Sequence, residues 1–85
     1  MSWQWSFTEK SEKQLNKLDK IVRKRIIKKL DLWCKYEKPL NFAESLINSQ
    51  LGTYRYRVSD YRIIFDVERD TIVVLAVGHR REIYK

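Results

Sequence analysis

The stretch Thr53-Tyr54-Arg55-Tyr56-Arg57-Val58-Ser59-Asp60-Tyr61-Arg62-Ile63-Ile64-Phe65-Asp66-Val67 decides the fold. Tyr54, Tyr56 and Val58 alternate with Arg55 and Arg57, the period of two that a half-buried strand shows. Ser59-Asp60 has the length of a two-residue hairpin turn, after which Tyr61, Ile63, Phe65 and Val67 resume the apolar face. Such a hairpin pairs Val58 with Tyr61 and sets Arg57 directly opposite Arg62, with Arg55 further along the same face. Arg69-Asp70 supports a second turn, and residues 71–77 are apolar on both faces, as expected of the central strand. Continuing the pairing places Arg62 opposite Val77 and brings the polar tail, Gly78-His79-Arg80-Arg81-Glu82-Ile83-Tyr84-Lys85, beside the arginines.

Upstream of this stretch the period is helical. Trp3, Trp5 and Phe7 alternate with Gln4 and Ser6 as a first short strand. A helix cap follows, either Thr8 or Ser6 with Glu9 as a capping box. Leu15 and Leu18 lead onto Val22, and Asp19 reads as a fresh N-cap, so two helices meet in a hairpin. In the second helix Val22, Ile26, Ile27, Leu30, Trp33 and Cys34 form a stripe wide enough to face a core, with Lys20, Lys24, Lys28 and Lys35 opposite. Arg23 interrupts the stripe near the helix start, which calls either for fraying there or for its stem to snorkel. Pro39 ends the element, giving about 18 residues or roughly 27 Å. Residues 40–52 read as an irregular connection with room for one helical turn. The expected class is α+β: an N-terminal strand and a two-helix hairpin on one face of a small, mainly antiparallel sheet.

With 85 residues there is room for one domain, spanning 1–85, and for a thin core without a deep pocket. The 18 Lys and Arg against 11 Asp and Glu leave a net charge of +7, which predicts a polyanionic partner, RNA or DNA first. Cys34 is the single cysteine, so no internal disulfide forms, and with His79 it completes the soft ligands, which argues against a metal site. Cys34 itself lies in the apolar stripe and reads as core. No apolar run approaches the roughly 20 residues of a membrane span. Met1-Ser2-Trp3-Gln4-Trp5 lacks the basic flank and apolar stretch of a signal peptide, so a cytoplasmic protein with no membrane partner is expected.

The arginines carry the functional signal. Like charges directly opposite on neighbouring strands destabilise a sheet, so Arg55, Arg57 and Arg62 gathered on one open face call for a counter-charge. One candidate is a phosphate, which guanidinium grips bidentately; the other is a surface ion pair with Asp60, Asp66 or Glu68. Lys24, Lys28 and Lys35 are either a solvated helix face or a track for a phosphate backbone. His79 is the only side chain whose ordinary pKa lies near neutrality, and a lone histidine is also commonly structural. Tyr84 can stack on a base or pack over the sheet edge.

The order strand, helix hairpin, loop, antiparallel sheet, arginine-bearing tail resembles, over the whole chain, the RelE branch of the RelE/ParE toxin superfamily of bacterial and archaeal toxin–antitoxin pairs. The likeness is densest in Leu51-Gly52-Thr53-Tyr54-Arg55-Tyr56-Arg57-Val58-Ser59-Asp60-Tyr61-Arg62-Ile63-Ile64-Phe65 and in Val77-Gly78-His79-Arg80-Arg81-Glu82-Ile83-Tyr84. The resemblance implies a toxin that enters the ribosomal A site and cuts the mRNA there, inhibiting translation. In that chemistry a ribose 2′-hydroxyl attacks the adjacent phosphate to leave a 2′,3′-cyclic phosphate and a 5′-hydroxyl. By the same resemblance Arg62 matches the phosphate-stabilising arginine, Arg80 the tail arginine and Tyr84 the tyrosine that stacks on the substrate base. Arg55 and Arg57 match a basic pair that the best-known members fill with lysines, one of them a proposed general base. Arginine is a poor base, so the proton falls to His79 or Glu82, with His79 preferred, or the reaction leans on the ribosome and on charge stabilisation. The expected catalytic set is Arg57, Arg62, His79, Arg80 and Tyr84; Arg55, Arg81, Lys24, Lys28 and Lys35 are expected to contact RNA. The implied partners are a cognate antitoxin, the ribosome and mRNA, with no cofactor. Within the same superfamily a ParE-like inhibitor of DNA gyrase is the alternative, and a non-catalytic RNA-binding module is another.

Overall fold

The computed structural model describes residues 3–47 and 49–84. Strand β1 (Gln4–Phe7) leads into helices α1 (Glu9–Asn16) and α2 (Lys20–Cys34). A 3₁₀ turn (Pro39–Phe42) and the two-residue strand β2 (Glu44–Ser45) follow, then β3 (Tyr54–Val58), β4 (Tyr61–Glu68) and β5 (Thr71–His79). The strands form one sheet in the order β1-β5-β4-β3-β2, with β1 parallel to β5 and every other pair antiparallel. This is the α+β architecture expected from the sequence. Among the described residues no helix is long and apolar enough to cross a membrane.

Local chemistry accounts for the helix starts. Thr8 caps α1 by accepting from the Ser11 N–H, and Asp19 caps α2 by accepting from the Ile21 N–H. Helix α2 is shorter than the sequence suggested. Its last carbonyls are taken in tight turns by the Lys35 and Tyr36 N–H groups. Lys38, held outside the helical region before Pro39 at φ −127° and ψ 77°, cannot continue an α-helix. Pro39 instead opens the 3₁₀ turn, where its missing N–H costs nothing. The connection at 40–52 also holds β2, whose two residues are too few to show a period.

The core lies between the helices and one face of the sheet. Ile26, Leu30, Trp33 and Cys34 from α2 pack with Tyr56, Val58, Ile63, Phe65, Ile72, Val74 and Val77. Trp33 stacks on Tyr56 at 4.0 Å between ring centroids and Tyr56 on Phe65 at 4.5 Å, so one aromatic column ties α2 to the two strands that matter most. Burying each such ring stabilises the fold by roughly 1.5–3 kcal/mol. The Tyr56 hydroxyl donates to the Pro39 carbonyl at 2.8 Å, and burial pushes its phenol well above the ordinary range. Burial likewise raises the Cys34 thiol, with Asp31 adding to it, in keeping with a core role.

The hairpin register of β3 and β4 is as the sequence predicts: Val58 pairs Tyr61 and Arg57 pairs Arg62. The β4–β5 register is not. Phe65 pairs Val74 but Ile64 pairs Ala76, so Leu75 is an extra residue, a β-bulge. Helix α1 holds the bulge from the core side. Ser11, wholly buried, donates to the Val74 carbonyl at 2.7 Å, and the Val77 N–H donates to Gln14 Oε1 at 2.9 Å. In consequence Arg62 faces Gly78 rather than Val77. The central strand is β4, not β5, because β1 and β5 occupy one flank of the sheet while β2 and β3 take the other.

Candidate active site

Arg55, Arg57 and Arg62 stand on the sheet face that the helices do not cover, because β3 and β4 alternate and the helices take Tyr56, Val58, Ile63 and Phe65. This face is not open, as the sequence had suggested. Ile64 is fully buried on it and Ala76 nearly so. A Cβ added to Gly52 would lie 2.7 Å from Ile64 Cγ2 and 3.2 Å from Leu75 Cδ1, so the loop before β3 presses its backbone onto this patch. A Cβ on Gly78 would meet Ile83 Cδ1 at 3.5 Å, which shows the turn after β5 folding back under the sheet. That turn is closed by the Glu82 and Ile83 N–H groups, both donating to the His79 carbonyl.

Folding back carries Tyr84 from the end of the chain across to β3. Arg55 Nη1 donates to the Tyr84 hydroxyl at 2.6 Å, and the Arg55 guanidinium carbon lies 5.9 Å from the centre of the Tyr84 ring. Arg55 Nη2 also donates to Glu44 Oε2 at 3.0 Å, while Arg57 Nε lies 2.6 Å from Glu44 Oε1. Glu44 on β2 therefore bridges both β3 arginines. The Arg55 hydrogen bond, then the charges of Arg55 and Arg57, hold its carboxyl below the ordinary glutamate range. The Tyr84 hydroxyl and Glu44 together push the Arg55 guanidinium upward. Arg55 Nε is buried with no acceptor among the described residues.

Arg62 and Arg80 lie at the hairpin tip. Arg62 Nη1 donates to the carbonyls of Ser59 and Tyr61, both at 3.0 Å, which lays its guanidinium along the turn. The Arg80 N–H donates to the Asp60 carbonyl at 2.7 Å and its Nε lies 3.8 Å from Asp60 Oδ1. Ser59 takes a left-handed φ of 56°, and this tight reversal is what brings the arginines of β3 and β4 face to face. The counter-charge for Arg55 and Arg57 is thus Glu44, not Asp60, Asp66 or Glu68; Asp66 instead accepts from the Thr53 N–H at 2.7 Å. Glu44 escaped the sequence reading, although it is the only carboxylate between Glu37 and Asp60.

His79 does not join the arginines. It pairs with Tyr61 on the helix-covered side, its ring edge-on to the tyrosine at 5.4 Å, and its Nδ1 accepts from the Arg81 N–H. The bulge is the reason: the unbulged register would have put position 79 on the Arg62 side, and one extra residue reverses the alternation. Arg81 is exposed in the same turn. Lys24 and Lys28 border a hollow of about 740 Å³ with Leu15, Ile21 and Ile27, on the helical layer. Lys35 borders a second hollow on α2 with Arg25 and Leu32. The helical lysines and the arginines therefore belong to opposite layers of the molecule. Among the described residues no group of three or more His, Cys, Asp or Glu is arranged to hold a metal ion.

Convergent guanidiniums with an aromatic hydroxyl among them suit a phosphodiester: they supply paired donors and positive charge for an oxyanion. Comparison with curated proteins gives no significant match. Among solved structures the chain is similar to the toxin–antitoxin complex RelBE2 from Mycobacterium tuberculosis. There the TM-score is 0.81 at 23% identity, covering 94% of this chain and all of that one. The RelB–RelE antitoxin–toxin complex from Methanococcus jannaschii aligns at 31% identity and a TM-score of 0.71, covering 92% of this chain and 93% of that one. Free E. coli RelE aligns at 23% identity and a TM-score of 0.72, covering 93% and 84%. Residues 6–84 match the family described as ParE toxin of type II toxin–antitoxin system, parDE. The chain therefore belongs to the ParE toxin family of type II toxin–antitoxin systems, in the RelE/ParE superfamily, and is RelE-like in fold.

Proposed function

We propose that the chain is the toxin of a toxin–antitoxin pair and acts as a ribosome-dependent mRNA endonuclease on the arginine-bearing face. The observation that carries this reading is the convergence of Arg55, Arg57 and Arg62 on one face, with Tyr84 brought to Arg55 from the far end of the chain. In the reaction the ribose 2′-oxygen forms a bond to phosphorus and the bond from phosphorus to the 5′-oxygen breaks. The 2′-hydroxyl proton leaves to a base and the 5′-oxygen gains one. Arg57 and Arg62 neutralise the extra charge on the phosphorane, Arg80 contacts the phosphate at the hairpin tip, and Tyr84 stacks on or steers the neighbouring base. Arginine does not accept the proton. His79 reaches this face only if β5 loses its bulge and shifts register, so the resting geometry favours charge stabilisation, with a proton acceptor supplied in the ribosomal complex. An antitoxin partner of acidic character suits the net charge of +7, and both RelB–RelE structures above are complexes with one.

The test is cleavage of A-site mRNA on programmed ribosomes. Wild type is expected to cut. Arg62→Ala, Arg80→Ala and Tyr84→Ala are each expected to lose about 10²-fold or more, as when one donor to a developing oxyanion is removed, while still binding the antitoxin. Normal cleavage by all three variants would refute the site. The match to the ParE toxin family favours a second reading, inhibition of DNA gyrase. Induced expression that changes DNA supercoiling while translation continues would support that reading and end the nuclease one.

A further inference from the structure

The carboxylate of Glu44 sits where a ligand of the arginine pair would sit. Both its oxygens are engaged: Oε1 with Arg57 Nε at 2.6 Å, and Oε2 with Arg55 Nη2 at 3.0 Å and Arg57 Nη2 at 3.4 Å. That side-on, two-oxygen arrangement is the one in which guanidinium receives the non-bridging oxygens of a phosphodiester, which carries the same single negative charge. The group is accessible, since the Glu44 side chain is 45% and that of Arg57 58% exposed. Its anchor is slight, a two-residue edge strand joined only to β3. The donors outnumber what Glu44 satisfies, because Arg55 Nε is buried with no acceptor among the described residues.

We propose that Glu44 is a specificity-determining residue: its carboxylate is a tethered stand-in for the scissile phosphate and excludes RNA that is not itself held in place. This rests on the nuclease reading of the same face. A side chain tethered beside its site competes as if present at millimolar concentration or above. A phosphodiester of free, flexible RNA does not overcome such a competitor, whereas a phosphate immobilised by the ribosome is presented at a comparable effective concentration. The exchange of one anion for another also leaves the charge of the arginine face unchanged on either side of the step. The opposition of Arg57 and Arg62 is thereby relieved in the free protein and again in the complex.

The experiment uses the full chain and a short single-stranded oligoribonucleotide carrying one 2′-O-methyl group at the scissile position, so that it binds without being cut. Binding is read by fluorescence anisotropy at several salt concentrations, beside ribosomal cleavage and a thermal melt of each variant. Glu44→Gln and Glu44→Ala are expected to bind the oligonucleotide at least about tenfold more tightly than wild type, because the intramolecular competitor is gone. Adding Arg57→Ala to either variant is expected to abolish the gain. Unchanged or weaker binding by both folded Glu44 variants would overturn the proposal, making Glu44 a brace for the arginines. Unchanged binding with lost ribosomal cleavage would also overturn it, making Glu44 a participant in the chemistry. If wild type fails to cut on ribosomes while the variants still tighten, the nuclease reading falls and the stand-in for a phosphate remains.

Discussion

The two faces of the sheet are built on opposite principles. On the helix side Tyr56, Ile63, Phe65, Ile72 and Val74 are wholly buried and interlock with α2 through a column of rings. On the other side Arg55, Arg57 and Arg62 share a surface with Ile64 and Ala76, and charges, turns and a folded-back tail cover what the helices do not. The first face stabilises by removing apolar area from water, and any shortfall in packing is felt at once. The second gathers like charges at a cost to the sheet and is held by exposed ion pairs, which contribute little to stability. Stability thus resides mainly on one face, and the other carries the proposed site.

The sharpest way to break that division is to hollow the first face. Phe65→Ala is expected to cost about 3–5 kcal/mol in urea unfolding, the range for an aromatic ring removed from a packed core. A loss below about 1 kcal/mol would mean that the aromatic column does not hold the sheet to α2. Next comes the joint between the faces. Gln14→Ala leaves the Val77 N–H at the bulge without its acceptor and is expected to cost about 1–3 kcal/mol. It should also raise the amide exchange rate at Val77 more than at Ile72. Uniform exchange across β5 would show that α1 does not fix the bulge.

Smaller effects belong to the second face. Arg57→Ala is expected to leave the melting temperature nearly unchanged, since its pair with Glu44 is exposed, while oligoribonucleotide binding falls in both wild-type and Glu44→Gln backgrounds. A large drop in melting temperature would erase the contrast between the faces. The smallest signal is the titration of Glu44. Its carboxyl is held low by the Arg55 hydrogen bond, so its share of the clasp is present above the ordinary glutamate pKa and is lost as pH falls through the depressed value. Acidification should therefore leave this carboxyl ionised until the pH lies below the ordinary glutamate pKa, and release should come only there. Carboxyl carbon shifts in an NMR titration read this directly, and an ordinary midpoint would mean the clasp is open in solution.

The first face was largely legible in the chain. The stripe from Val22 to Cys34 and the alternation from Tyr54 to Val67 repeat a period long enough to read, the Asp19 cap is marked by its residue type, and Thr8 is one of the two caps the sequence offered for α1. The pairing of Arg57 with Arg62 followed from turn length alone. What stayed hidden has no period. Strand β2 is two residues long, and Glu44 gains its meaning only from a partner strand reached across a loop. The end of α2 depends on how the chain negotiates Pro39, which fixes a stop without saying how many residues earlier the helix loosens. Leu75 carries no mark of a bulge, since neither glycine nor proline flags it. Its signal lies in Ser11 and Gln14, polar residues on the core side of α1 whose backbone partners are more than sixty positions away. Missing that one residue was enough to put His79 on the wrong side.

The bulge has a mechanical consequence. Because strand side chains alternate, the grip of Ser11 and Gln14 on Val74 and Val77 decides which of Gly78 and His79 looks toward the arginines, and so where Tyr84 lands. The alignment of the terminal turn is thus set from behind, through a strand one layer thick. Whatever prises α1 away from β5 would let that strand straighten and slide the terminal residues by a single notch, disabling the proposed site by misalignment with Arg55, Arg57 and Arg62 still in their places.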